Sequence, residues 1–562
     1  MLSVRNPYKN AAILRRTVKG SILFLFLISV WFAPLVHFGY IFTRLDPLAA
    51  LLLPITARNL LSQALPGVAV IVSAFFFGRL FCGYLCPMGT TIDIAGTAFR
   101  KAAKIKINTL PEKLCHLKYL LLAFAAGAAL FGINLFYWFT PMPLVTRFYS
   151  ILIQPLTTLI GSKAAAAGRP LLSVLNAGEL EYLQIAVRRF DGIYFILIFF
   201  GAVFLLELVR PHFWCRYLCP AGALLGLCSK LPFWRRRADK CIQCGVCITT
   251  CPAGAITSDG ALAAHRECIA CRTCVNVCPE NGITFSFTGV KTPSVQGVLP
   301  ARRTFIIAAG SGAGLAVIEF LDLRTILNAG SKGFIYPETF IRPPGTLPER
   351  EFLAACVRCG LCMRVCPTNA LQPATFINGA NFGGKFSPVM VLRHGPCEPD
   401  CNLCGIVCPS GAIRELTLKE KRWAKIGTSV IYPGRCIAWN NSKSCVVCQE
   451  VCPYGAVTIV PREIAATLPS GTYAAGSTYP VPVVNAEKCF GCGYCEQHCP
   501  VEVSAIISEP LNSLRIAEGS YEETGKERGL KLEVLDKSAN TSEDIFPIEE
   551  LPEGTLPPGF TD

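Results

Sequence analysis

Twenty-four of the thirty cysteines fall into six short runs, and thiolates at such spacings are metal ligands. Cys241, Cys244, Cys247 and Cys251 precede Pro252, and Cys268, Cys271, Cys274 and Cys278 precede Pro279. Both repeat the C-x2-C-x2-C-x3-C-P run of bacterial two-cluster ferredoxins. Three thiolates on one tight loop occupy three corners of a [4Fe–4S] cube, and the fourth, at the start of a helix, reaches the other cube. The pattern therefore places Cys241, Cys244, Cys247 and Cys278 on one cluster and Cys268, Cys271, Cys274 and Cys251 on the other. Zinc is the competing occupant, but zinc sites favour two separated pairs.

Four further runs follow: Cys356, Cys359, Cys362 and Cys366; Cys397, Cys401, Cys404 and Cys408; Cys436, Cys445, Cys448 and Cys452; and Cys489, Cys492, Cys495 and Cys499. Each ends in Cys-Pro. The outer two keep the regular spacing, and the middle two widen the first gap to three and to eight residues. Partner exchange joins either first with second and third with fourth, or first with fourth and the two irregular runs with each other. Spacing does not choose between them. The expected total is six [4Fe–4S] clusters.

Six cysteines remain: Cys82, Cys86, Cys115, Cys215, Cys219 and Cys228. Four of them lie in a repeat. Phe81-Cys82-Gly83-Tyr84-Leu85-Cys86-Pro87-Met88-Gly89 matches Trp214-Cys215-Arg216-Tyr217-Leu218-Cys219-Pro220-Ala221-Gly222 as aromatic-Cys-x-Tyr-Leu-Cys-Pro-x-Gly. Cysteines four apart on a helix share a face, so a two-fold arrangement brings four thiolates together. Packing, a thiol or disulfide relay, and a further metal or cluster site all stay open for these four. Cys115 and Cys228 read as structural.

The elements that position these residues follow from composition. Hydrophobic residues make up 52% and charged residues 16%, with a mean hydropathy of +0.44, against about 25% charged in ordinary soluble domains. Apolar runs at 21–40, about 67–85, 119–139 and 192–210, with a fifth at 301–320, have the length of spanning helices. Five Lys and Arg precede the first run and six lie between the second and third, against two (Arg44, Arg58) between the first and second. That asymmetry puts the N-terminus in the cytoplasm of a bacterial inner membrane. Arg15, Arg16 and Lys19 precede an apolar run without a small-residue cleavage site, so the first segment is expected to stay as an anchor.

The expected fold is thus an integral membrane α-helical bundle, four helices plus a fifth connecting helix, with α+β bacterial-ferredoxin-like domains. Its parts are a four-helix domain (1–235), a cytoplasmic two-cluster domain (236–290), a linker and anchor (291–325), a periplasmic four-cluster domain (326–509) and an acidic tail (510–562). Ile335 to Arg350 reads as a Pro-rich linker. From Glu518 onward twelve acidic residues face four basic ones, the composition of a flexible or docked tail.

Several function classes are set aside. The formal charge of +15 gathers beside apolar runs, so it points to a membrane surface and not to nucleic acid. Cysteines in regular runs of a long chain are not a disulfide framework. No Cys-x2-Cys-His occurs for a covalent haem, and the six histidines show no paired spacing. Gly310-Ser311-Gly312-Ala313-Gly314-Leu315 lacks the third glycine and the preceding strand of a dinucleotide loop; helix packing through Gly310 and Gly314 is the expectation. Glu207 is a candidate quinol proton acceptor or the partner of Arg210. No substrate-converting site is visible.

Residues 1–290 resemble the NapH-type membrane ferredoxins of periplasmic nitrate reductase systems, with their apolar runs, two Cys-x3-Cys-Pro motifs and two-cluster domain. Residues 301–509 are similar to the NapG/MauM-type polyferredoxins, on the Arg302-Arg303-Thr304-Phe305 leader, the Ile341-Arg342-Pro343-Pro344-Gly345 segment and four cluster motifs. Arg302 and Arg303 then read as a twin-arginine export signal, or as the basic flank of an ordinary anchor. The resemblance implies a fusion that passes electrons from quinol, with a bound quinone, to a periplasmic reductase or multihaem cytochrome. It favours the nested cluster pairing. A redox maturation factor of the NosR or CcoG type, or an assembly subunit with structural clusters, is the rival reading.

Overall fold

The computed structural model describes residues 7–32, 40–58, 62–103, 112–174, 187–229, 234–238, 241–256, 264, 266–287, 300–320, 340–375, 384–441, 443–467 and 473–534. The chain divides into two units: residues 1–391, 401–417 and 515–519 form the first, and 392–400, 418–514 and 520–562 the second.

Proline punctuates the first unit. Its helices include α1 (Pro7–Trp31), α2 (Pro47–Ala57), α3 (Leu65–Phe77), α4 (Leu80–Tyr84), α5 (Pro87–Ala103), α6 (Leu117–Leu130), α7 (Pro141–Arg147), α8 (Gln154–Val174), α9 (Ile193–Val209), α10 (Pro220–Cys228) and α11 (Arg302–Phe320). α2, α5, α7 and α10 begin at proline, where the missing N–H is one that no helix pairs. Asp46 caps α2 and ties it to α7. One carboxylate oxygen accepts from Leu48 N (2.9 Å) and Ala49 N (3.1 Å), and the other from Met142 N (3.0 Å).

The expected integral membrane bundle is not what these helices form. Among the described residues no helix is long and apolar enough to cross a membrane. Backbone breaks are the physical reason. The 67–85 run divides between α3 and α4 at Gly78 (φ +70°). The 119–139 run yields only the 14 residues of α6 before Gly132 (φ +79°), about 21 Å of helix. α9 starts after Gly192 (φ +69°) and has 17 residues, about 26 Å against a hydrocarbon core of about 30 Å. The longer helices carry charge, Arg15, Arg16 and Lys19 in α1, Lys163 and Arg169 in α8, and Arg302, Arg303 and Glu319 in α11. Part of the first run, 33–39, lies outside the described residues.

α11 lies along α6, and the close approach uses other glycines than expected. A Cβ at Gly312 would meet the Phe124 carbonyl and one at Gly127 the Ala309 carbonyl, whereas Gly310 and Gly314 face open space. Ala316, Ala128 and Leu135 bury together at this contact.

The described part of the Pro-rich segment is not a free linker. Residues 341–346 are buried, and Met390 N donates to Ile341 O at 2.8 Å. Arg342, 1% exposed, donates to both carboxylate oxygens of Glu349 (2.6 and 3.1 Å), to Ser387 Oγ (2.9 Å) and to Pro388 O (2.7 Å). Arg515 Nη1 adds a bond to Glu349 Oε2 at 2.8 Å. The rest of the segment, 321–339, lies outside the described residues.

In the second unit the strand Val457–Thr467 pairs antiparallel with Tyr473–Val484, and Thr428–Ile431 with Ile506–Glu509. The expected tail begins as structure: Tyr521–Glu527 is a helix capped by Ser520, with the Tyr521 ring fully buried. Residues 535–562 of that tail lie outside the described residues.

Two outcomes follow from the buried charges. Arg342→Ala leaves Glu349 buried beside Arg515 alone and should lower stability by about 3–5 kcal/mol in denaturant unfolding; an unchanged midpoint would contradict the strap. Burial lifts the Asp46 pKa to about 6 from its ordinary 3.8, against the pull of three N–H donors. A raised carboxyl pKa means stability present below pH 4 and lost as pH rises through 6. Wild type should therefore lose melting temperature relative to Asp46→Asn across that window, and a pH-independent difference would refute the assignment.

Candidate functional site

The four regularly spaced cysteine runs share one backbone device. In each, the second residue between the first two cysteines is left-handed, Gln243 (φ +55°), Ala270 (+52°), Arg358 (+54°) and Gly491 (+72°). The residue after the second cysteine is left-handed too, Gly245 (+74°), Arg272 (+57°), Gly360 (+83°) and Gly493 (+82°). Alternation of right- and left-handed residues curls the chain so that its N–H groups and three cysteines face one concavity, a cradle for an anion. A short helix starts immediately after, Val246–Thr250, Thr273–Val277, Leu361–Val365 and Tyr494–His498, and the fourth cysteine caps its far end. The two irregular runs lack the device: Asn402 and Val446 have φ of −124° and −120°.

The cradles close by exchange. In the module closed by the antiparallel pair β1 (Trp234–Ala238) and β2 (Ile283–Phe287), one cavity is lined by Cys241, Cys244, Cys247 and Cys278 and a second by Cys251, Cys268, Cys271 and Cys274. In the 340–417 region Cys408 reaches Cys356, Cys359 and Cys362, with Cys404 alongside. In the second unit a cavity is lined by Cys436, Cys445, Cys448 and Cys499, while Cys489, Cys492 and Cys495 have Cys452 as neighbour. First joins second and third joins fourth; the nested pairing is not formed. Cys366 lies buried at the end of Leu361–Val365, Cys401 is half-buried beside Asn402, and Cys397 N donates to Cys492 O at 2.7 Å.

The donor chemistry fits iron–sulfur groups. Fourth cysteines accept backbone N–H bonds: Cys251 from Ala255, Cys408 from Ile413, Cys452 from Ala456 and Cys499 from Ala505, at 3.3 to 3.4 Å. Such bonds favour thiolate. Burial opposes it, pushing Cys274, Cys359 and Cys448 up to about 12, so a bound cation must displace protons. At Cys499 the N–H donors outweigh burial and the thiol falls below its usual range. Among the described residues no three Cys, His, Asp or Glu groups converge closely enough to hold a single metal ion. The quartets line small cavities, and the corners of a [4Fe–4S] cube are taken by four such thiolates.

Two ends of α6 receive two of these modules. At its N-terminus Lys118 and Tyr119 bond the Glu267 carboxylate, Tyr119 Oη at 2.8 Å, and Arg79 Nη1 joins at 3.0 Å. Glu267 directly precedes Cys268. Burial works against its charge, yet Lys118 and Arg79 prevail and hold it below the usual carboxylate range. Beyond the C-terminus of α6, Asn134 Nδ2 donates to Cys356 O (3.0 Å), Arg147 Nε to Arg358 O (2.8 Å) and Thr56 Oγ1 to Ala354 O (3.3 Å). Arg358 stacks 3.7 Å over the Tyr137 ring.

The repeated Cys-x3-Cys-Pro motifs lie beside the first end. Cys86 and Cys219 are buried, and Cys82 and Cys215 half-buried. Glu207 does not stand free as a proton acceptor, because its two oxygens accept from His212 N and Phe213 N, both at 2.8 Å. What the spacing did not reveal is that both repeats grip the first module. A Cβ at Gly83 would meet the Ile269 carbonyl, Tyr84 Oη donates to Ala270 O at 3.2 Å, and the Arg216 guanidinium lies against Gly254. The small residue between Cys82 and Tyr84, and the arginine in its place in the second repeat, were the only sequence signals of this.

Known proteins agree with this chemistry. A family model described as a 4Fe-4S binding domain matches residues 64–106, 193–240 and 404–426. Two described as 4Fe-4S dicluster domains match 233–282, and 355–412 with 435–503. The methylamine utilization ferredoxin-type protein MauM of Methylorubrum extorquens is 35% identical over 208 residues, 37% of this chain and 88% of that protein. The ferredoxin-type protein NapG of Escherichia coli K12 is 32% identical over 213 residues, 37% of this chain and 84% of NapG. A putative electron transport protein of Escherichia coli, YccM, is 31% identical over 33% of this chain and 44% of its own length. The formate dehydrogenase–heterodisulfide reductase–formylmethanofuran dehydrogenase complex of Methanospirillum hungatei matches 54% of this chain and 87% of one of its own at 20% identity, with a TM-score of 0.12 that bears no argument. With four-fifths or more of MauM and NapG matched above 30% identity, and dicluster domains over its cysteine runs, the chain belongs to the MauM/NapG ferredoxin-type family of iron–sulfur electron-transfer proteins.

Proposed function

We propose that the chain carries single electrons between a donor that meets the first ferredoxin module and an acceptor that meets the 340–509 region, using six [4Fe–4S] groups held by the twenty-four cysteines of the six runs. The observation that carries this reading is the placement of cysteine cradles at both ends of α6, held there by Glu267 at one end and Asn134 and Arg358 at the other. A [4Fe–4S] group supplies one-electron redox chemistry when bound. The protein's own residues supply position, counter-charge and exclusion of water. Arg147, Arg358 and Arg342 bring cationic groups around the Cys356 loop, where anionic groups are favoured.

The finer reading joins a NapH-type partner, residues 1–290, to the MauM/NapG-type region in one chain. The donor is then a quinol and the acceptor a periplasmic reductase or multihaem cytochrome. Support comes from the sequence resemblance and from the family-model match that extends across 64–106 and 193–240.

Stopped-flow mixing of the purified chain with a quinol analogue should bleach its visible iron–sulfur absorption. No bleaching by any quinol, with full bleaching by dithionite, removes quinol as donor; no bleaching by dithionite removes the carrier itself. Cys408→Ser should perturb the spectrum of the group held by the Cys356 loop. Perturbation of the group on Cys436, Cys445 and Cys448 instead would restore the nested pairing. Glu267→Gln leaves Lys118 and Arg79 buried against a neutral partner and should cost about 3–5 kcal/mol. Hydrogen exchange across residues 266–274 should rise in that variant, and unchanged protection would show that the carboxylate does not hold the module.

A further inference from the structure

The Cys-x3-Cys-Pro repeats place four thiols around one point. Cys215 has Cys219, Cys86, Cys82 and Glu207 as electrostatic neighbours; Cys219 has Cys82, Arg79 and Asp46; Cys86 has Cys82 and Cys219. Each Cys-Pro step starts a helix, α5 or α10, and Gly222 N donates to Cys219 Sγ at 3.4 Å. This is a helix N-cap bond, and like the N–H bonds at the fourth cysteines it favours thiolate.

Two buried arginines flank this place, Arg79 beside the thiols and Arg216 against Gly254 of the first module, and neither has every donor paired. Arg79 is 2% and Arg216 9% exposed. Arg79 Nε and Arg216 Nε and Nη1 have no hydrogen-bond partner among the described residues. Arg79 lies close against Gly222, beside Cys219, and its charge is opposed by burial but sustained by Cys82 and Glu267. Arg79 and Lys118 share the one Glu267 carboxylate, so a positive charge is left over beside the four thiols and calls for a negatively charged occupant. A thiolate-ligated cluster has that charge, and packed neutral thiols do not.

We infer that Cys82, Cys86, Cys215 and Cys219 hold a seventh redox group, an iron–sulfur cluster, that stands between the first ferredoxin module and the Cys356 loop. The inference deepens the carrier reading and rests on it. The four thiols do not converge tightly enough for a single ion, which is the state of the ferredoxin-type quartets as well. Position supplies the rest. α6 separates the two modules by about 21 Å of helix, a long gap for one electron transfer. The four-cysteine point touches the Cys268 loop through Gly83 and Tyr84. On its other side it neighbours Asp46, from which α2 leads over about 16 Å to Thr56 and the Cys356 loop. One electron enters as the group on Cys251, Cys268, Cys271 and Cys274 is oxidised by one unit. One electron leaves toward the Cys356 loop; no bond breaks and no proton moves.

The test compares iron and acid-labile sulfide per chain, and the paramagnetic resonance of the dithionite-reduced state, between the full wild-type chain and Cys86→Ser/Cys219→Ser, both purified without oxygen. The inference predicts that the double variant loses the iron of one cluster and one resonance signal, while the ferredoxin-type signals persist. Persisting signals also show that the variant has folded. Cys82→Ser, at a half-buried position, should retain the iron and shift the same signal, as a serine oxygen replaces one thiolate. Equal iron and identical signals in all three proteins overturn the seventh site and leave the carrier reading intact. So does zinc in place of iron, or a Cys86–Cys219 disulfide in the wild-type chain. A wild-type chain without reducible iron overturns both.

Discussion

One buried carboxylate fixes the geometry on which the rest depends. Glu267 sits among Lys118, Tyr119 and Arg79, and it is joined by one peptide bond to Cys268. A carboxylate buried alone would be protonated or unfolded; two cations and a phenol keep it ionised and directional. The first ferredoxin module is therefore oriented against the helical layer by charge, in a molecule where most other contacts are apolar and less directional. Arg79 extends that network from the Cys268 loop to Gly222 and the Cys-x3-Cys-Pro repeats. The cysteine groups of this end are joined by one buried ion network.

The same logic recurs at the far end of α6 with different chemistry. Asn134 and Arg147 donate to backbone carbonyls of the Cys356 loop, and Arg358 within the loop donates back to Asn134 O, so the loop is anchored without use of its thiols. Left-handed residues at Arg358 and Gly360 turn those thiols together. Arginine at a left-handed position is costly in isolation. Here it is compensated by stacking on Tyr137 and by bonds to Asn134 O and Leu353 O.

The parts of this account that were legible in sequence are those encoded locally. The x2-x2-x3 spacing of Cys241 to Cys251 is a statement about one loop and one helical turn, and it names the cradle without reference to anything distant. Pairing between runs is tertiary, so Cys356 to Cys408 could not be separated from the nested alternative by counting residues. The helical runs were misjudged for a related reason. Hydropathy sums over a window are blind to Gly78, Gly132 and Gly192, whose positive φ angles divide or delimit the apolar stretches into helices too short to cross a membrane. Small-residue packing of the 301–320 stretch was legible, but its phase was not: Gly312 meets α6 because of where α11 rotates, which no local pattern states. The docking of both Cys-x3-Cys-Pro repeats onto the first module was hidden because Gly83 and Arg216 act through contacts about 190 and about 40 residues away in sequence, respectively.

The central claim is that cysteine quartets assembled by exchange between runs hold cubane groups that work one electron at a time. Mössbauer spectroscopy of the full chain, grown on enriched iron and reduced stepwise, tests it most directly. The account predicts that all the thiolate-bound iron of the six runs is [4Fe–4S] and that each group accepts a single electron. Isolated four-thiolate iron, zinc-filled quartets, or clusters that stay oxidised under full reduction would contradict it.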